Sequence, residues 1–443
     1  MSDAEPRIAR REFLASIGRA VGGSAMLRAM AAMGIASVAA GCGSSSASPA
    51  ATPVPPASPP PAPRPASPRP GDWPPNVGAG KSVVILGAGI AGMTTALEMT
   101  RLGYACTLLE AQASAGGRVR TLRSGDVVDE IDSSQTCQFD VDDNLYFNAG
   151  PSRIAQHHEF LLGYCREFGV ALETFTNDNR GAWLHSPNAF GGQPQVARRM
   201  IADTRGGIAE LLSTAINQNA LDQELTPADK ANVLAMLRQY GDLDINNNYL
   251  PTPRAGFPGQ ENAGSRDRGD LVSTRELQTL VSEFFWELRL SFSQGFDQQP
   301  TMLQPVGGMD RISAAFQAQV AGNITYQAVV TEIRKIAGGV RVIYDAGGMS
   351  QSIDADYCVV TIPAPVLAGI ANDFSAGHQA EIAAFQYSSA VRIAFQAQRF
   401  WEREHNIYGG ISWTEQDITQ IWYPNHGFGD DDGIVLGAYI FGG

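Results

Sequence analysis

The feature that most constrains this chain is a glycine-rich turn between a short apolar run and a helical pattern. Ser82–Leu86 is β-prone, and Gly87, Gly89 and Gly92 follow it in the spacing G-x-G-x-x-G. Met93–Leu102 then has the residue pattern of a helix. In such a turn the first glycine allows the bend, the second lets a pyrophosphate approach the backbone, and the third lets helix and strand pack closely. The pattern therefore predicts a βαβ unit that binds a dinucleotide.

Two further features of this unit favour a nucleotide site. Ile90 and Ala91 lie in the glycine turn, just before the expected helix, whose N-terminal backbone N–H groups attract phosphate. Glu110 ends the next predicted strand, where its carboxylate can accept a hydrogen bond from a ribose hydroxyl. The glycine motif alone fits NAD and FAD equally well, and an ordinary βαβ unit with a glycine turn is the alternative.

The residues that follow distinguish the two cofactors. Glu110, Ala111, Gly117 and Arg118 belong to the sequence E-A-x4-G-G-R. This sequence resembles the second half of the FAD motif of the flavin amine oxidase family, where the arginine helps to hold the diphosphate region. Arginine suits that role because its planar fork pairs with two phosphate oxygens. The resemblance implies FAD as the cofactor.

A second motif points to one branch of this family. Gly150, Pro151, Ser152 and Arg153 resemble the G-P-x-R motif of L-amino acid oxidases. In that branch the glycine-led backbone lies against the flavin, and the arginine binds the substrate α-carboxylate. The resemblance gives Arg153 this role. The alternative is an arginine that caps the preceding turn or pairs with a nearby acid.

Three residues further along the chain match functional positions of the same family. Val330 matches a residue whose backbone contacts the adenine. Tyr439 matches the tyrosine that joins the arginine at the substrate carboxylate. Arg392 stands where the family usually has a lysine that holds a water near flavin N5, and arginine is bulkier and keeps its proton. At this position either the water network is rebuilt or the residue is only structural.

The resemblance extends from Lys81 to Gly443 and implies an α/β fold, with a Rossmann-like FAD-binding domain and a sheet-plus-helix substrate domain. The family closes with a strand, a glycine–acid pair and a helix, so the fold is expected to be C-terminally incomplete. Either the reading frame is truncated, or the C-terminal part is a separate polypeptide. The expected divisions are a signal (1–42), a Pro/Ala/Ser-rich linker (43–79), the FAD-binding domain in two parts (80–155 and 301–363), a helical and substrate region (156–300), and a substrate-binding domain (364–443).

The N-terminal residues predict export. Arg10 and Arg11 begin R-R-E-F-L, which matches the twin-arginine signal pattern, and the apolar stretch Ala20–Ala40 resembles a signal rather than a membrane span. The sequence Ala-Ala-Gly-Cys that ends at Cys42 resembles a lipobox, and a plain cleaved signal is the alternative. The linker that follows cannot bury enough apolar surface to fold. We expect a periplasmic or cell-surface protein, with a lipid anchor if Cys42 is modified.

Charge and cysteine usage exclude several kinds of partner. The formal net charge of −13 disfavours nucleic acid and anionic membrane surfaces, so membrane contact is expected only through an anchor at Cys42. The chain has five cysteines but no C-x-x-C and no Cys/His cluster. We therefore expect no metal site.

Secondary-structure patterns outside the motifs predict the rest of the fold. Apolar residues at three- and four-residue spacing predict helices over Ile208–Ile216, Ala228–Tyr240 and Thr274–Leu288. Ile324–Ile333 and Val340–Tyr344 predict a pair of strands. The helices suggest an inserted domain that covers the substrate entrance.

The resemblance implies oxidation of an L-amino acid by dioxygen to a 2-oxo acid, ammonia and hydrogen peroxide. A monoamine or polyamine oxidase needs no carboxylate anchor, so Arg153 and Tyr439 argue against it. A flavin amino-acid monooxygenase shares both anchors but forms an amide. The alternative from another class is an inactive subunit that binds a partner, either a separate C-terminal chain or a second copy.

Overall fold

The computed structural model describes residues 72–130, 132–218, 225–257, 269–281 and 291–441. The predicted twin-arginine signal, the lipobox and most of the linker lie outside the described residues. The chain divides into two compact units: one contains Arg69–Ala197 and Trp286–Gly443, and the other contains Arg198–Phe285. The functional motifs all lie in the first of these units.

The strands of the described residues form several separate sheets. In chain order they are β1 (Ser82–Leu86), β2 (Ala105–Leu109), β3 (Thr121–Leu122), β4 (Val127–Asp129), β5 (Ser134–Thr136), β6 (Phe147–Asn148), β7 (Leu172–Thr176), β8 (Trp183–His185), β9 (Gln195–Val196), β10 (Thr301–Pro305), β11 (Ile324–Thr325), β12 (Ala328–Ile336), β13 (Gly339–Ala346), β14 (Met349–Ala355), β15 (Tyr357–Val360), β16 (Ala371–Asn372), β17 (Ala390–Gln398), β18 (Gly410–Thr414), β19 (Gln420–Tyr423) and β20 (Asp432–Phe441).

The α-helices of the described residues lie in both units. None of them combines the length and hydropathy that crossing a bilayer requires. In chain order they are α1 (Ile90–Arg101), α2 (Glu159–Glu167), α3 (Ala197–Asn217), α4 (Pro227–Gly241), α5 (Leu277–Val281), α6 (Asp310–Val320), α7 (Ala364–Leu367), α8 (Ala376–Ala384) and α9 (Phe400–Arg403).

A parallel sheet with the strand order β11-β2-β1-β15 supports the cofactor motif. Val83 and Ile85 of β1 pack with α1 and α6 on one face of the sheet. Val84 and Leu86 pack with β12 and β13 on the other face. Because both faces are covered, β1 is a continuous apolar run without alternation, as is typical of parallel strands. The predicted strand Ser82–Leu86 is confirmed.

Helix α1 connects β1 to β2 and carries the glycine turn at its start. It begins at Ile90, three residues before the predicted Met93, because Gly89 already serves as its N-cap. The helix ends at Arg101, and Gly103 follows with φ +89°. A glycine in this left-handed conformation terminates a helix without a steric penalty, which explains the stop.

A six-stranded sheet with the order β17-β20-β19-β18-β8-β9 lies in the same unit. It is called the substrate sheet below, because four of its strands belong to the predicted substrate-binding domain. Strands β17 and β20 are antiparallel, and Arg392 lies opposite Tyr439 in their register. Beside this sheet, β7 and β10 pair with each other, and Ile154 forms an isolated bridge with Leu303 of β10. This bridge positions Arg153, the residue before it.

The unit formed by residues 198–285 is helical in its described part. Its core contains Ala209, Leu212, Ile216 and Leu237, from α3 and α4. Helix α4 begins with a capping box, in which the side chain of Thr226 accepts a hydrogen bond from the backbone of a residue in the first turn. The predicted helices over Ile208–Ile216 and Ala228–Tyr240 are therefore confirmed.

One prediction of a strand is wrong. Ile324–Ile333 is not one strand, because β11 joins the parallel sheet and β12 begins again in a different sheet after Gln327 at φ +53°. The region 156–300, predicted as helical and substrate region, contains strands β7, β8 and β9 besides helices, and these strands belong to sheets of the larger unit. These strands have two to five residues, too few to reveal a two-residue period. Of the predicted helix Thr274–Leu288, Leu277–Val281 is helical and 282–290 lies outside the described residues.

Candidate active site

The turn between β1 and α1 has the stereochemistry that a phosphate site requires. Gly87 has φ +100°, a conformation that side chains disfavour. A Cβ on Gly92 would lie 1.9 Å from the carbonyl oxygen of Gly87, so the helix packs directly on the turn. A Cβ on Gly89 would have no atom within 4 Å. The space beside Gly89 is therefore open, and no side chain caps the first turn of the helix, where Ile90 and Ala91 lie.

Glu110 lies at the end of β2, beside this turn. Its Oε2 accepts a hydrogen bond from the backbone N–H of Ala88 at 2.7 Å, and its Oε1 accepts one from Gln112 at 2.9 Å. The side chain is buried, while Ala111 after it is exposed. Each carboxylate oxygen keeps a second lone pair, with which it can accept a hydroxyl hydrogen bond.

The second half of the cofactor motif returns to the glycine turn. Gly116 forms an isolated parallel bridge with Gly89, and a Cβ on Gly117 would lie 3.5 Å from the Cα of Gly89. The guanidinium of Arg118 lies 5.7 Å from the ring centroid of Tyr387. Among the described residues, it has no hydrogen-bond or ion-pair partner. Its donors are therefore available to an anion beside the turn.

The second motif packs against the first. A Cβ on Gly150 would lie 2.0 Å from the carbonyl oxygen of Arg118, so only glycine allows this approach. The turn continues through Pro151, which is exposed, and Ser152. The sequence predicted both motifs separately, and the structure brings them into backbone contact.

Strand β12 approaches the same end of β2. The backbone N–H of Ala328 donates to the carbonyl oxygen of Glu110 at 2.8 Å. Val330, two residues further along, is buried with Leu109 in one apolar cluster. The strand that carries Val330 thus lies beside the carboxylate of Glu110.

This arrangement fits a flavin dinucleotide. The open space at Gly89, the uncapped helix N-terminus and the guanidinium of Arg118, which no described residue pairs with, are suited to a diphosphate. Glu110 provides acceptors for a ribose. A cavity of about 930 Å³ adjoins Gly150 and has an apolar wall suited to a ring system. Its lining includes Phe147, Pro151, Val391, Arg392, Ile393, Phe395 and Tyr439.

Arg153 is a half-buried cation between aromatic rings. Its Nη1 donates to Oδ1 of Asn177 at 2.8 Å, and its guanidinium carbon lies 4.5 Å from the ring centroid of Trp422 and 5.5 Å from that of Phe292. No carboxylate of the described residues forms an ion pair with it. The alternative that Arg153 pairs with a nearby acid is therefore not observed in the described part of the chain.

Burial lowers the pKa of Arg153 to about 10. Tyr439 raises this pKa, the positive charge of Arg392 lowers it, and Asp297 raises it. The direction of the total shift means that the charged guanidinium is poorly solvated at this position. A bound anion would relieve that cost.

Tyr439 and Arg392 lie next to Arg153. The ring of Tyr439 meets that of Trp422 edge-on, with centroids 5.4 Å apart, so Arg153 and Tyr439 share one aromatic neighbour. The guanidinium of Arg392 lies 4.0 Å from the ring centroid of Tyr439. Its Nη1 donates to Ser152 Oγ at 2.9 Å. The three predicted residues 153, 392 and 439 are thus brought together.

Sequence reasoning missed two residues of this site. Trp422 contacts both Arg153 and Tyr439, and Asn177 orients the guanidinium. Trp422 lies in β19, whose β-prone residues do not distinguish a core tryptophan from one that faces a site. Asn177 follows a short strand, and no motif marks it.

Comparisons with known proteins identify the family. The family model for flavin-containing amine oxidoreductases matches residues 90–443. The chain is 26% identical to an L-amino-acid oxidase of Echis ocellatus and 27% identical to one of Gloydius halys, and each match covers 82% of this chain and 68% of the relative. A solved putrescine oxidase matches with 16% identity and a TM-score of 0.48, over 82% of this chain and 75% of that one. The chain therefore belongs to the flavin-containing amine oxidoreductases, with the fold of that family and FAD as its cofactor.

Proposed function

We propose that this flavin oxidoreductase oxidises an L-amino acid to the corresponding 2-oxo acid, with release of ammonia and hydrogen peroxide. The observation that carries the proposal is Arg153, a half-buried guanidinium that has no acidic partner among the described residues. Two L-amino-acid oxidases of other organisms are similar to this chain over most of its length. Both facts favour a substrate with a carboxylate over a simple amine.

The electrostatics of the site favour an anion. Arg153 and Arg392 are both positively charged, and the repulsion between them lowers the pKa of Arg153. A substrate carboxylate would pair with the guanidinium of Arg153 through charge-assisted hydrogen bonds, which are short and strong. The hydroxyl of Tyr439 would add one donor. Aromatic faces around the guanidinium exclude water and strengthen the pair.

When bound, FAD supplies a two-electron acceptor that dioxygen reoxidises to give hydrogen peroxide. The protein binds the substrate by its carboxylate and so fixes the direction of the Cα–H bond. Such orientation by a bidentate clamp converts binding energy into rate. Arg153 and Tyr439 carry this role, while Gly87–Gly92, Glu110 and Arg118 hold the dinucleotide.

The test is replacement of the carboxylate anchor. Loss of one partner of a buried charge pair costs about 2–5 kcal/mol, so Arg153→Ala should lower kcat/KM for L-amino acids about 30-fold to several thousand-fold. Tyr439→Phe removes one hydrogen bond to a charged group, worth about 1.5–3 kcal/mol, and should be milder. Arg180→Ala, at an exposed arginine, is the matched control. Each variant is assayed against L-amino acids and their decarboxylated amines.

The assay requires flavin-loaded enzyme, because Arg153 follows the turn that packs on the cofactor motif. Flavin absorbance of each variant provides this control. Amines should be poor substrates of the parent enzyme and should gain relative to amino acids in Arg153→Ala. If this variant keeps its flavin and still oxidises amino acids at the parent rate, the assignment is wrong. An amide product in place of peroxide would indicate a monooxygenase.

We also propose that the protein is exported by the twin-arginine route and held at a membrane through Cys42. The support is the sequence R-R-E-F-L and the lipobox-like residues before the cysteine. Replacement of Arg10 and Arg11 by lysine should leave the precursor in the cytoplasm, as fractionation would reveal. Export of this double variant at the parent rate would contradict the route, and palmitate labelling that persists in Cys42→Ala would contradict the anchor.

A further inference from the structure

Arg392 connects the substrate sheet to the turn that leads into Arg153. Its Nη1 donates to the carbonyl oxygen of Asn148 at 3.0 Å, to Ser152 Oγ at 2.9 Å, and to the carbonyl oxygen of Gly150. Nη1 has two hydrogens, and these three acceptors surround it. The side chain of a strand residue therefore binds the turn at three points.

The other end of this connection is Tyr439. The planar guanidinium of Arg392 lies 4.0 Å from the ring centroid of Tyr439, the residue opposite it in the register of β17 and β20. The same guanidinium lies 5.5 Å from the ring centroid of Trp422. One side chain thus contacts the turn before Arg153, the ring of Tyr439 and the tryptophan that these two residues share.

We propose that Arg392 is a positioning residue, which holds the Gly150–Ser152 turn and Tyr439 at the separation at which Arg153 and Tyr439 can bind the same carboxylate. The inference rests on the proposed function. It follows the structural alternative for this position, because Nη1 donates to three protein acceptors.

The chemistry of arginine explains why this residue occupies the position. A guanidinium can donate from one end while its face lies on an aromatic ring, because its donors are arranged in a rigid plane. A lysine ammonium is a compact point charge and cannot make both contacts in this geometry. Arg392→Lys therefore keeps the charge and loses the positioning, whereas Arg392→Met loses both.

The experiment is a double-mutant cycle in flavin-loaded enzyme. Arg392→Met and Arg392→Lys are made alone and together with Arg153→Ala, and kcat and KM are measured separately for an L-amino acid and its decarboxylated amine. The dissociation constant of benzoate, a carboxylate without an amino group, is measured from the flavin spectrum. Arg180→Met serves as the control.

We expect Arg392→Met to raise KM for the amino acid and the benzoate dissociation constant about 10-fold, within the range of coupling between residues of one network. Arg392→Lys should recover only part of this loss. In the Arg153→Ala background Arg392→Met should add no further loss, and KM for the amine should change less than twofold. These outcomes are those of a residue that acts through the carboxylate anchor.

Additive losses in the double variant, or equal losses with amino acid and amine, would overturn the inference, because they indicate a direct effect on the flavin. Unchanged KM and benzoate affinity in Arg392→Met would overturn it as well. If the parent enzyme neither binds benzoate nor oxidises L-amino acids, the proposed function fails together with the inference. Should Arg392→Met lose its flavin, Ser152→Ala decides the matter: it removes one acceptor of Nη1 and should raise KM for the amino acid only.

Discussion

The glycine turn and the carboxylate anchor are built in opposite ways. The turn consists of neighbouring residues, Gly87–Gly92, and its shape follows from which of them can carry a Cβ. The anchor joins Arg153, Trp422 and Tyr439, which come from distant parts of the chain and meet only through the sheets. The comparison teaches that a site made by local sterics can be predicted from residue types, whereas a site made by burial and neighbours cannot.

Within the turn, two glycines that look alike in the sequence should respond differently to a methyl group. Gly92→Ala would place its Cβ 1.9 Å from a backbone oxygen and should destabilise the folded protein by roughly 3 kcal/mol or more. Gly89→Ala has free space for its Cβ and an extended backbone at φ −76°, so the stability of the apoprotein should change by less than about 0.5 kcal/mol.

Gly89→Ala should instead weaken FAD binding, because the methyl group enters the space left for the pyrophosphate. A steric cost of about 1–3 kcal/mol corresponds to about 5- to 150-fold in the dissociation constant. Thermal unfolding of the apoproteins and titration with FAD measure the two effects. Parent-like FAD affinity in Gly89→Ala would show that the open space is not the diphosphate site.

Within the anchor, Trp422 should contribute to activity through its contact with the guanidinium of Arg153. A cation–π contact contributes about 0.5–2 kcal/mol, so Trp422→Leu should lower kcat/KM for amino acids about 2- to 30-fold. Trp183→Leu is the control, because Trp183 lies in the same sheet and packs edge-on against His405. Equal losses of kcat/KM in the two variants would mean that Trp422 acts only through stability.

Two titratable residues, one near each region, should respond to acid at different pH values. Burial lowers the pKa of His426, which stacks on Tyr146, to about 4. The hydrogen bond from Lys81 lowers the pKa of Asp356, beside β1, to about 2. An unfolded histidine titrates near 6.5 and an unfolded aspartate near 3.9. Acid should therefore remove the stabilising contribution of neutral His426 at a higher pH than that of the Asp356 carboxylate.

The effect of His426 has a defined pH window. Between pH 6.5 and pH 4 the unfolded chain binds a proton that folded His426 does not, so the free energy of unfolding falls as the pH falls. His426→Gln should unfold with a smaller drop in Tm between pH 7 and pH 5 than the parent. An identical drop in the two proteins would assign the acid sensitivity to other groups.

Much of the cofactor half could be predicted. The strand Ser82–Leu86 and the helix after the glycine turn are confirmed, although the helix starts at Ile90. Both depend on short-range properties, an apolar run and an apolar pattern at helical spacing. The roles assigned to Arg118 and Val330 stay predictions, although both lie where those roles require.

The sequence was less informative where strands change sheets. Ile324–Ile333 carries one β-prone pattern but enters two sheets, because the backbone of Thr325 pairs beside β2 and Ala328 begins a new ladder. No strand was predicted at the positions of the short strands β7, β8 and β9, which lie in the helical and substrate region. Pairing partners, not residue propensities, decide such elements.

The sequence by itself determined the dinucleotide turn and its place between a strand and a helix, because steric limits on a few adjacent residues leave one solution. Only the tertiary structure decided that Arg153 lies half-buried against a tryptophan and has no acidic partner among the described residues. It also decided that Arg392 connects the Gly150–Ser152 turn to the substrate sheet. Those properties depend on solvent exclusion and on neighbours from distant strands, and no local pattern encodes them.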